Sequence, residues 1–348
     1  MSSVLVTGSN GFLGASLMRS LVERETKGLI AFVRSGSNLR RLEALLKQRP
    51  GAFTIRTGSL NSVEHARQAL EGVSTVYHLA AALSGAPSDM YLNTLVTSKN
   101  LLEAVVRPRA EQRTTSSGPP KLVLVSSFGV YGVAGLPHGT TITEDSPLEP
   151  QPELRDPYSQ TKLRQEQLFW EYQGREHLPL VVLRPGVIFG PGSGAFSSRV
   201  GLQLPGLFLF LGGKNLLPMT YVDNCADAIA IAGSSPSALG QVYNVHDDDL
   251  PTCAEYLQSF RQQVGPVRAV GVPYPLLMAG SHLVKRYHKY SKGQLPAIFT
   301  PYKTATTWKR TGFSNAKLKA LGWSPKVSMA DGLELAFADL KRRNQRAA

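Results

Sequence analysis

Tyr158 and Lys162 stand in the spacing Tyr-x-x-x-Lys. On a helix, residues four apart share a face, so a phenol and an ammonium there can act together. A free phenol, with a pKa near 10, is a poor base at neutral pH; a neighbouring ammonium stabilises the phenolate and lowers that value. Ser126 and Ser127 end an apolar run at 121–126, and a hydroxyl at a strand end can hydrogen-bond a substrate carbonyl or alcohol. Ligands of open α/β sheets bind beyond such strand ends. Ser127 can also be no more than a satisfied strand-end hydroxyl.

A glycine turn near the start of the chain supplies the second half of this chemistry. Residues 4–14 read VLVTGSNGFLG, a short apolar strand running into Gly8, Gly11 and Gly14. Gly8 permits the tight turn, Gly11 lets backbone approach a pyrophosphate, and Gly14 lets the next helix pack on the strand. Leu13, Leu17 and Leu21 then recur every four residues, on one helix face. The N-terminus of that helix offers free N–H groups and partial positive charge to a phosphate. The spacing is G-x-x-G-x-x-G rather than G-x-G-x-x-G, and a structural glycine-rich turn is the alternative. With the phenol and ammonium, this turn implies proton and hydride chemistry on a nicotinamide cofactor.

The next apolar run, 29–33, ends at Arg34, with Arg40 and Arg41 following and no acid before Glu43. An acid at that distance beyond the turn would bind the ribose 2′-hydroxyl of NAD, whereas an arginine accommodates the 2′-phosphate of NADP. The pattern favours NADP(H). If Arg34 is a solvated surface residue instead, NAD(H) serves as well.

The elements that must hold these groups alternate. Apolar strands are expected at 4–6, 29–33, 54–56, 75–79, 121–126, 180–183 and 241–245, with helices at 63–70, 93–106 and 164–172 and a strand turning into a helix over 220–232. Such alternation predicts an α/β fold, a doubly wound parallel (Rossmann) sheet with helices on both faces. Residues 107–120 read as a solvated loop. The alternation weakens after Arg184, which predicts a smaller, discontinuous substrate lobe. The division expected is 1–184 with 220–250 for the dinucleotide, and 185–219 with 251–348 for the substrate. Phe189, Phe196, Leu202, Leu204, Leu207 and Phe208 are either an apolar pocket wall or lobe core.

The 348 residues are 42% hydrophobic, ordinary for a soluble globular chain. Cys225 and Cys253 form no metal spacing and no disulfide framework. The first strand begins at Val4, which leaves no room for a signal peptide, and 202–211 is too short and broken to span a membrane. A cytoplasmic protein is expected. The net charge of +13 is lopsided: residues 282–348 hold 14 Lys/Arg against three acids. This basic region could make weak contact with a membrane surface or another anionic ligand, or be a solubilising surface ending in a frayed tail at 341–346. Tyr287, Tyr290 and Tyr302 interleave with Lys285, Arg286, Lys289, Lys292 and Lys303, but no nucleic-acid module accompanies them, so no nucleic-acid partner is expected.

In combination the motifs resemble the extended short-chain dehydrogenase/reductase superfamily, which includes the NAD-dependent epimerases and dehydratases. They are VTGSNGFLG, YHLAA at 77–81, NTLVTSKNLLEAV from Asn93, VSSFGVYG at 125–132, YSQTK at 158–162, LRPGVIFGPG at 183–192, YVDNCADAI from Tyr221 and LGWSPKVSMADGL from Leu321. The resemblance implies that Ser127, Tyr158 and Lys162 are catalytic. It implies a cofactor site from Thr7, Gly8, Asn10, Gly11, Phe12, Leu13, Gly14, Arg34, Ser59, Leu60, His78, Leu79, Ala80, Ala81, Tyr158, Lys162, Pro185, Gly186 and Val187. A homodimer through the helices at 93–106 and 164–172 is implied too. Two departures narrow the substrate. No Asp-Glu pair follows Ser127, which argues against dehydration. The segment 212–220 lacks the basic Arg-Asp-Phe of nucleotide-sugar enzymes and is similar to the 3β-hydroxysteroid dehydrogenase and dihydroflavonol reductase side. Gly58-Ser59-Leu60 replaces the usual Gly-Asp-Leu, leaving the adenine contact to backbone. The expected function is an NADP(H)-dependent ketone reductase or secondary-alcohol dehydrogenase acting on an apolar ring substrate. The alternatives are a nucleotide-sugar 4-epimerase with tightly held NAD and a non-catalytic NADP(H)-responsive binding protein.

Overall fold

Short runs of branched and aromatic side chains become strands buried on both faces. The computed structural model describes residues 3–107, 118–290 and 300–347. Its strands are β1 (Ser3–Thr7), β2 (Leu29–Val33), β3 (Thr54–Thr57), β4 (Val73–His78), β5 (Lys121–Val125), β6 (Thr141–Ile142), β7 (Leu180–Pro185), β8 (Val187–Phe189), β9 (Gly201–Leu204), β10 (Leu207–Phe210), β11 (Met219–Tyr221), β12 (Val242–Val245), β13 (Ala269–Gly271) and β14 (Gly312–Phe313). Seven of them form one parallel sheet in the order β12-β7-β5-β4-β1-β2-β3. The period of two decides which core each side chain joins. Leu29, Ala31 and Val33 of β2 enter one cluster with Leu17, Leu21 and Ile229; Ile30 and Phe32 enter the opposite one with Leu101, Leu102 and Phe169.

The helices are α1 (Phe12–Glu23), α2 (Arg40–Gln48), α3 (Val63–Ala69), α4 (Pro87–Met90), α5 (Thr97–Val106), α6 (Pro157–Glu176), α7 (Val222–Ser234), α8 (Cys253–Gln263), α9 (Tyr274–Tyr290), α10 (Pro301–Trp308), α11 (Ala316–Ala320) and α12 (Met329–Ala347). The strand order reverses at β1, between β2 and β4, so the strand ends at Thr7 and His78 flank the switch point where such sheets bind ligands.

The expected strands all form, with ends shifted by one or two residues. The helices depart further. α2 was not expected, yet Leu42 and Leu45 pack it onto the sheet at a spacing of three. α6 is far longer than 164–172, because Asp156 caps it and Pro157 opens it: the Asp156 carboxylate accepts the Ser159 N–H at 2.9 Å. The segment Tyr91–Val96 is a π turn between α4 and α5, rather than the start of one regular helix at 93. Part of the loop expected at 107–120 lies outside the described residues, as does Lys292. The tail is not frayed. α12 runs to Ala347, with Arg343 2.9 Å from Asp339 and donating to the Ser193 carbonyl at 2.6 Å.

A second core gathers Phe189, Val200, Phe208, Tyr221, Tyr256, Phe260 and Phe337, with Phe196 packed against it. Phe189, Phe196 and Phe208 are therefore core, while Leu204 is 40% exposed on an edge strand. Leu318 and Trp323, from late in the chain, pack into the core of the main sheet. Among the described residues no helix is long and apolar enough to cross a membrane.

One close approach tests this packing away from the site. A Cβ on Gly233 of α7 would fall 2.4 Å from the Tyr77 ring of β4. Gly233→Ala should therefore lower the unfolding free energy by about 1–3 kcal/mol. A urea midpoint equal to that of the unaltered protein would refute the packing described.

Candidate active site

Three strand ends converge on Tyr158 and Lys162. β5 ends at Val125, and Ser126 and Ser127 follow it; β4 ends at His78; β1 ends at Thr7. Because α6 starts at Pro157, its first turn presents Tyr158 to this edge and its second presents Lys162. The Ser127 hydroxyl lies beside the Tyr158 phenol, close enough to act on its pKa. Ser127 also accepts the Gly129 N–H at 3.1 Å. The Lys162 ammonium, 3% exposed, donates to the Val125 carbonyl at 2.7 Å and to Gln165 Oε1 at 2.5 Å. The three expected catalytic residues are brought together.

The electrostatics differ from the sequence-based expectation. Burial pushes the Tyr158 phenol above its ordinary value; the Ser127 hydroxyl opposes this and the Asp156 charge adds to it. Burial also pulls Lys162 down to about 7, opposed by the Glu166 carboxylate. An ammonium that is itself desolvated does not depress the phenol here.

Behind these groups runs a buried chain of hydrogen bonds whose directions are determined. The Thr7 hydroxyl accepts the Leu79 and Ala80 N–H groups, each at 3.2 Å, so its own proton goes to His78 Nδ1 at 2.9 Å. His78 then carries its proton on Nε2 and donates to Ser98 Oγ at 3.0 Å, an assignment set by the network. Ser98 donates to the Thr94 carbonyl at 2.5 Å and accepts Gln165 Nε2 at 2.7 Å, and Gln165 Oε1 receives Lys162. Every member is satisfied with His78 neutral. Desolvation, helped by the Lys162 charge, takes His78 down to about 3.

A second buried cluster anchors Ser126. Glu166, fully buried, pairs with Arg184 at 2.5 Å and accepts the Ser126 hydroxyl at 2.5 Å. Arg184 also donates to the Tyr131 hydroxyl at 2.9 Å, and its guanidinium lies 4.7 Å over that ring. Sequence reasoning missed Ser98, Gln165, Glu166 and Arg184. Gln165 and Glu166 fall three and four residues after Lys162, a spacing that marks one helix face. Ser98 is brought in by the tertiary fold alone.

The glycine turn fits a dinucleotide. Gly8 has φ +68°, and a Cβ on Gly14 would lie 2.1 Å from the Gly8 carbonyl oxygen, so strand and helix approach as closely as backbone allows. α1 has neither a side-chain cap nor an acid in its first turn, which leaves its first N–H groups, at Phe12, Leu13 and Gly14, for an anion. Asn10 reaches across to the Asn38 carbonyl at 3.4 Å. Arg34 is exposed at the end of β2 and donates to Asn93 Oδ1 at 3.1 Å; Arg41, rather than Arg34, lies over the Phe12 ring at 5.8 Å. Thr7 is fully buried, and its hydroxyl braces the Leu79-Ala80 backbone. Ser59 Oγ accepts the Asn61 N–H at 3.1 Å. The Leu60 side chain is core, so only backbone is free there, and Ala81 is half-buried past the end of β4. Pro185 ends β7; the Gly186 and Val187 N–H groups bond the Val245 and Pro218 carbonyls at 3.0 and 2.7 Å. A Cβ on Gly186 would sit 2.1 Å from Pro218 O. No cluster of metal-ligating side chains occurs among the described residues.

Fold and site together define a dinucleotide-dependent enzyme, and comparison with known proteins agrees. Residues 4–245 match the NAD-dependent epimerase/dehydratase family, to which the chain belongs. A 3β-hydroxysteroid-dehydrogenase/decarboxylase of Arabidopsis thaliana is 26% identical over 85% of this chain and 70% of its own. A decarboxylating sterol-4-alpha-carboxylate 3-dehydrogenase of Schizosaccharomyces pombe is 26% identical over 99% of both chains. In fold the chain is similar to the UDP-glucuronic acid 4-epimerase of Bacillus cereus solved with NAD, with a TM-score of 0.71 and 20% identity over 98% of this chain and 99% of that one. The protein is an NAD(P)-dependent enzyme of the extended short-chain dehydrogenase/reductase type.

The neutral His78 has a stability consequence. Its folded pKa is depressed from 6.5 to about 3, so the unfolded chain binds the extra proton first. The stability this contributes is present above pH 6.5 and is lost as pH falls from there towards 3, at up to about 1.4 kcal/mol per unit. Melting curves between pH 7.5 and 4.5 should show a steeper decline for the unaltered protein than for His78→Gln. Equal slopes would refute the neutral, buried assignment.

Proposed function

We propose that this protein interconverts a secondary alcohol and a ketone on a large apolar, steroid-type ring substrate, with Ser127, Tyr158 and Lys162 as its catalytic residues. The observation that carries the reading is the buried Lys162 bonded to the Val125 carbonyl at the end of β5, one helical turn after Tyr158, with Ser127 beside that phenol. The sterol dehydrogenase that aligns over nearly its whole length supports the substrate class.

When bound, the nicotinamide supplies the hydride donor or acceptor. In reduction, Tyr158 gives its proton to the substrate oxygen as the carbonyl carbon gains hydride, and the Ser127 hydroxyl stabilises the developing alkoxide. A phenol held above its ordinary pKa is protonated at neutral pH and ready for this role. In oxidation, Tyr158 would act from its deprotonated form, taking the alcohol proton as hydride leaves the carbinol carbon for the nicotinamide. Lys162 would also hold the cofactor's ribose hydroxyls, which would accept from the ammonium that burial disfavours. The α1 N-terminus would hold the pyrophosphate, and Arg34 would select NADP(H) through the 2′-phosphate.

The same reading divides the chain into a cofactor part, 1–184 with 220–250, and a substrate part, 185–219 with 251–348. The separate core around Phe208 supports this division, and the Leu318 and Trp323 contacts cross it. It also includes a homodimer through the outer faces of α5 and α6, where Tyr91 and Leu92 beside them are 52% and 54% exposed.

Tyr158→Phe should lower turnover of a 3β-hydroxysterol by about 10²- to 10⁴-fold while the protein still takes up NADP(H). Undiminished turnover would remove Tyr158 from the chemistry. Arg34→Asp should shift the ratio of kcat/KM values towards NAD by about tenfold or more. An unchanged ratio would take Arg34 out of cofactor choice.

A further inference from the structure

Arg199 lies on the segment between β8 and β9. Its guanidinium sits 5.9 Å over the Phe313 ring. Phe313 is the ring stacked on Phe128, the residue that follows Ser127. Two ring contacts thus link Arg199 to the residue next to Ser127.

Arg199 has no anion of its own, while the charged groups around it are already paired. Arg155, close enough to repel it, is paired with Glu149 at 2.9 Å and also donates to the Tyr131 carbonyl. Glu149 is further occupied by the Tyr302 hydroxyl. Arg184 has Glu166, and Asp248 has Lys319. Arg199 is half-buried, and among the described residues its guanidinium has neither a carboxylate within ion-pair distance nor a hydrogen-bond acceptor. Burial and the Arg155 charge bring its pKa down to about 10, with Cys253 opposing, so it remains charged at neutral pH.

The segment is held in place rather than loose. The Arg199 carbonyl accepts the Cys253 thiol at 3.6 Å, its N–H donates to Ser197 Oγ at 3.3 Å, and a Cβ on Gly212 would come within 2.6 Å of that carbonyl. A half-buried cation without a counter-charge loses hydration with no return from the protein itself. A ligand anion would supply the return, and the planar fork of a guanidinium matches a carboxylate through two parallel hydrogen bonds.

We propose that Arg199 binds a carboxylate carried by the substrate close to its reacting alcohol or ketone, so that the site takes a hydroxy or oxo carboxylic acid in preference to the neutral compound. The inference rests on the function proposed above for the identity of the ring substrate, and it adds the residue that recognises the acid.

The test is equilibrium binding to the full-length protein, followed by quenching of tryptophan fluorescence, so no turnover is needed. The probes are a 4α-carboxy-3β-hydroxysterol and its methyl ester. The unaltered protein should bind the acid about 10- to 100-fold more tightly than the ester. Arg199→Gln should abolish that preference and Arg199→Lys should keep part of it. Equal affinities for acid and ester, no binding of either, or a preference that survives Arg199→Gln would each overturn the assignment. Free uridine diphosphate binding tightly through Arg199 would overturn it as well, in favour of a diphosphate. If Arg199→Gln does not fold, the ratio in the unaltered protein and in Arg199→Lys decides. A protein that prefers the acid through Arg199 but oxidises neither sterol with NAD or NADP would keep this assignment and lose the proposed reaction.

Discussion

A buried ammonium without a carboxylate of its own is the constraint around which this structure is organised. Lys162 is taken out of water, and the nearest acid, Glu166, is committed to Arg184 and Ser126. Its charge is held instead by a carbonyl at the end of β5 and by the oxygen of Gln165. Desolvation of this kind costs several kcal/mol and persists only where the surroundings over-determine it. Here they do: α6 is capped by Asp156, opened by Pro157 and packed through Phe169 and Tyr172 on the sheet, so its second turn has one place to go.

The hydrogen-bond chain from Thr7 to Lys162 shows how strand ends and site become one unit. Each polar group in it uses its donors and acceptors without conflict, which forces a single tautomer on His78. A satisfied buried network is rigid, whereas a partly satisfied one would be costly. The glycine turn therefore does more than make room for phosphate. Through Thr7 and the Leu79-Ala80 backbone it is mechanically continuous with the buried Lys162.

The charge pattern separates two kinds of arginine. Arg155 and Arg184 are structural, each matched to a buried glutamate. Arg199 and Arg34 are not matched to any acid: Arg34 donates to Asn93 past the end of β2, and Arg199 lies over the Phe313 ring. The lopsided basic composition is a poor guide to this difference. Much of it is solvated helix surface, as on α12, where Arg342 and Arg343 share Asp339.

Local pattern was enough for the parallel sheet, because a strand buried on both faces must be a continuous apolar run, and β1, β2, β5 and β7 are such runs. It was enough for the glycine turn and for Tyr158 and Lys162, since a tight turn and a shared helix face are properties of spacing alone. It did not extend to α2, whose amphipathic spacing was overshadowed by its arginines, or to the helices after Pro251, where the alternation that anchored the reading fades. Nor could it supply the states of the side chains. That the phenol is raised rather than lowered, that Phe196 and Phe208 are core, that Ser98 meets His78 across 20 residues, and that Arg199 sits on a ring without a carboxylate all depend on which groups the fold removes from water and what it sets beside them. Burial and long-range pairing are properties of the packed molecule, and no window of sequence contains them.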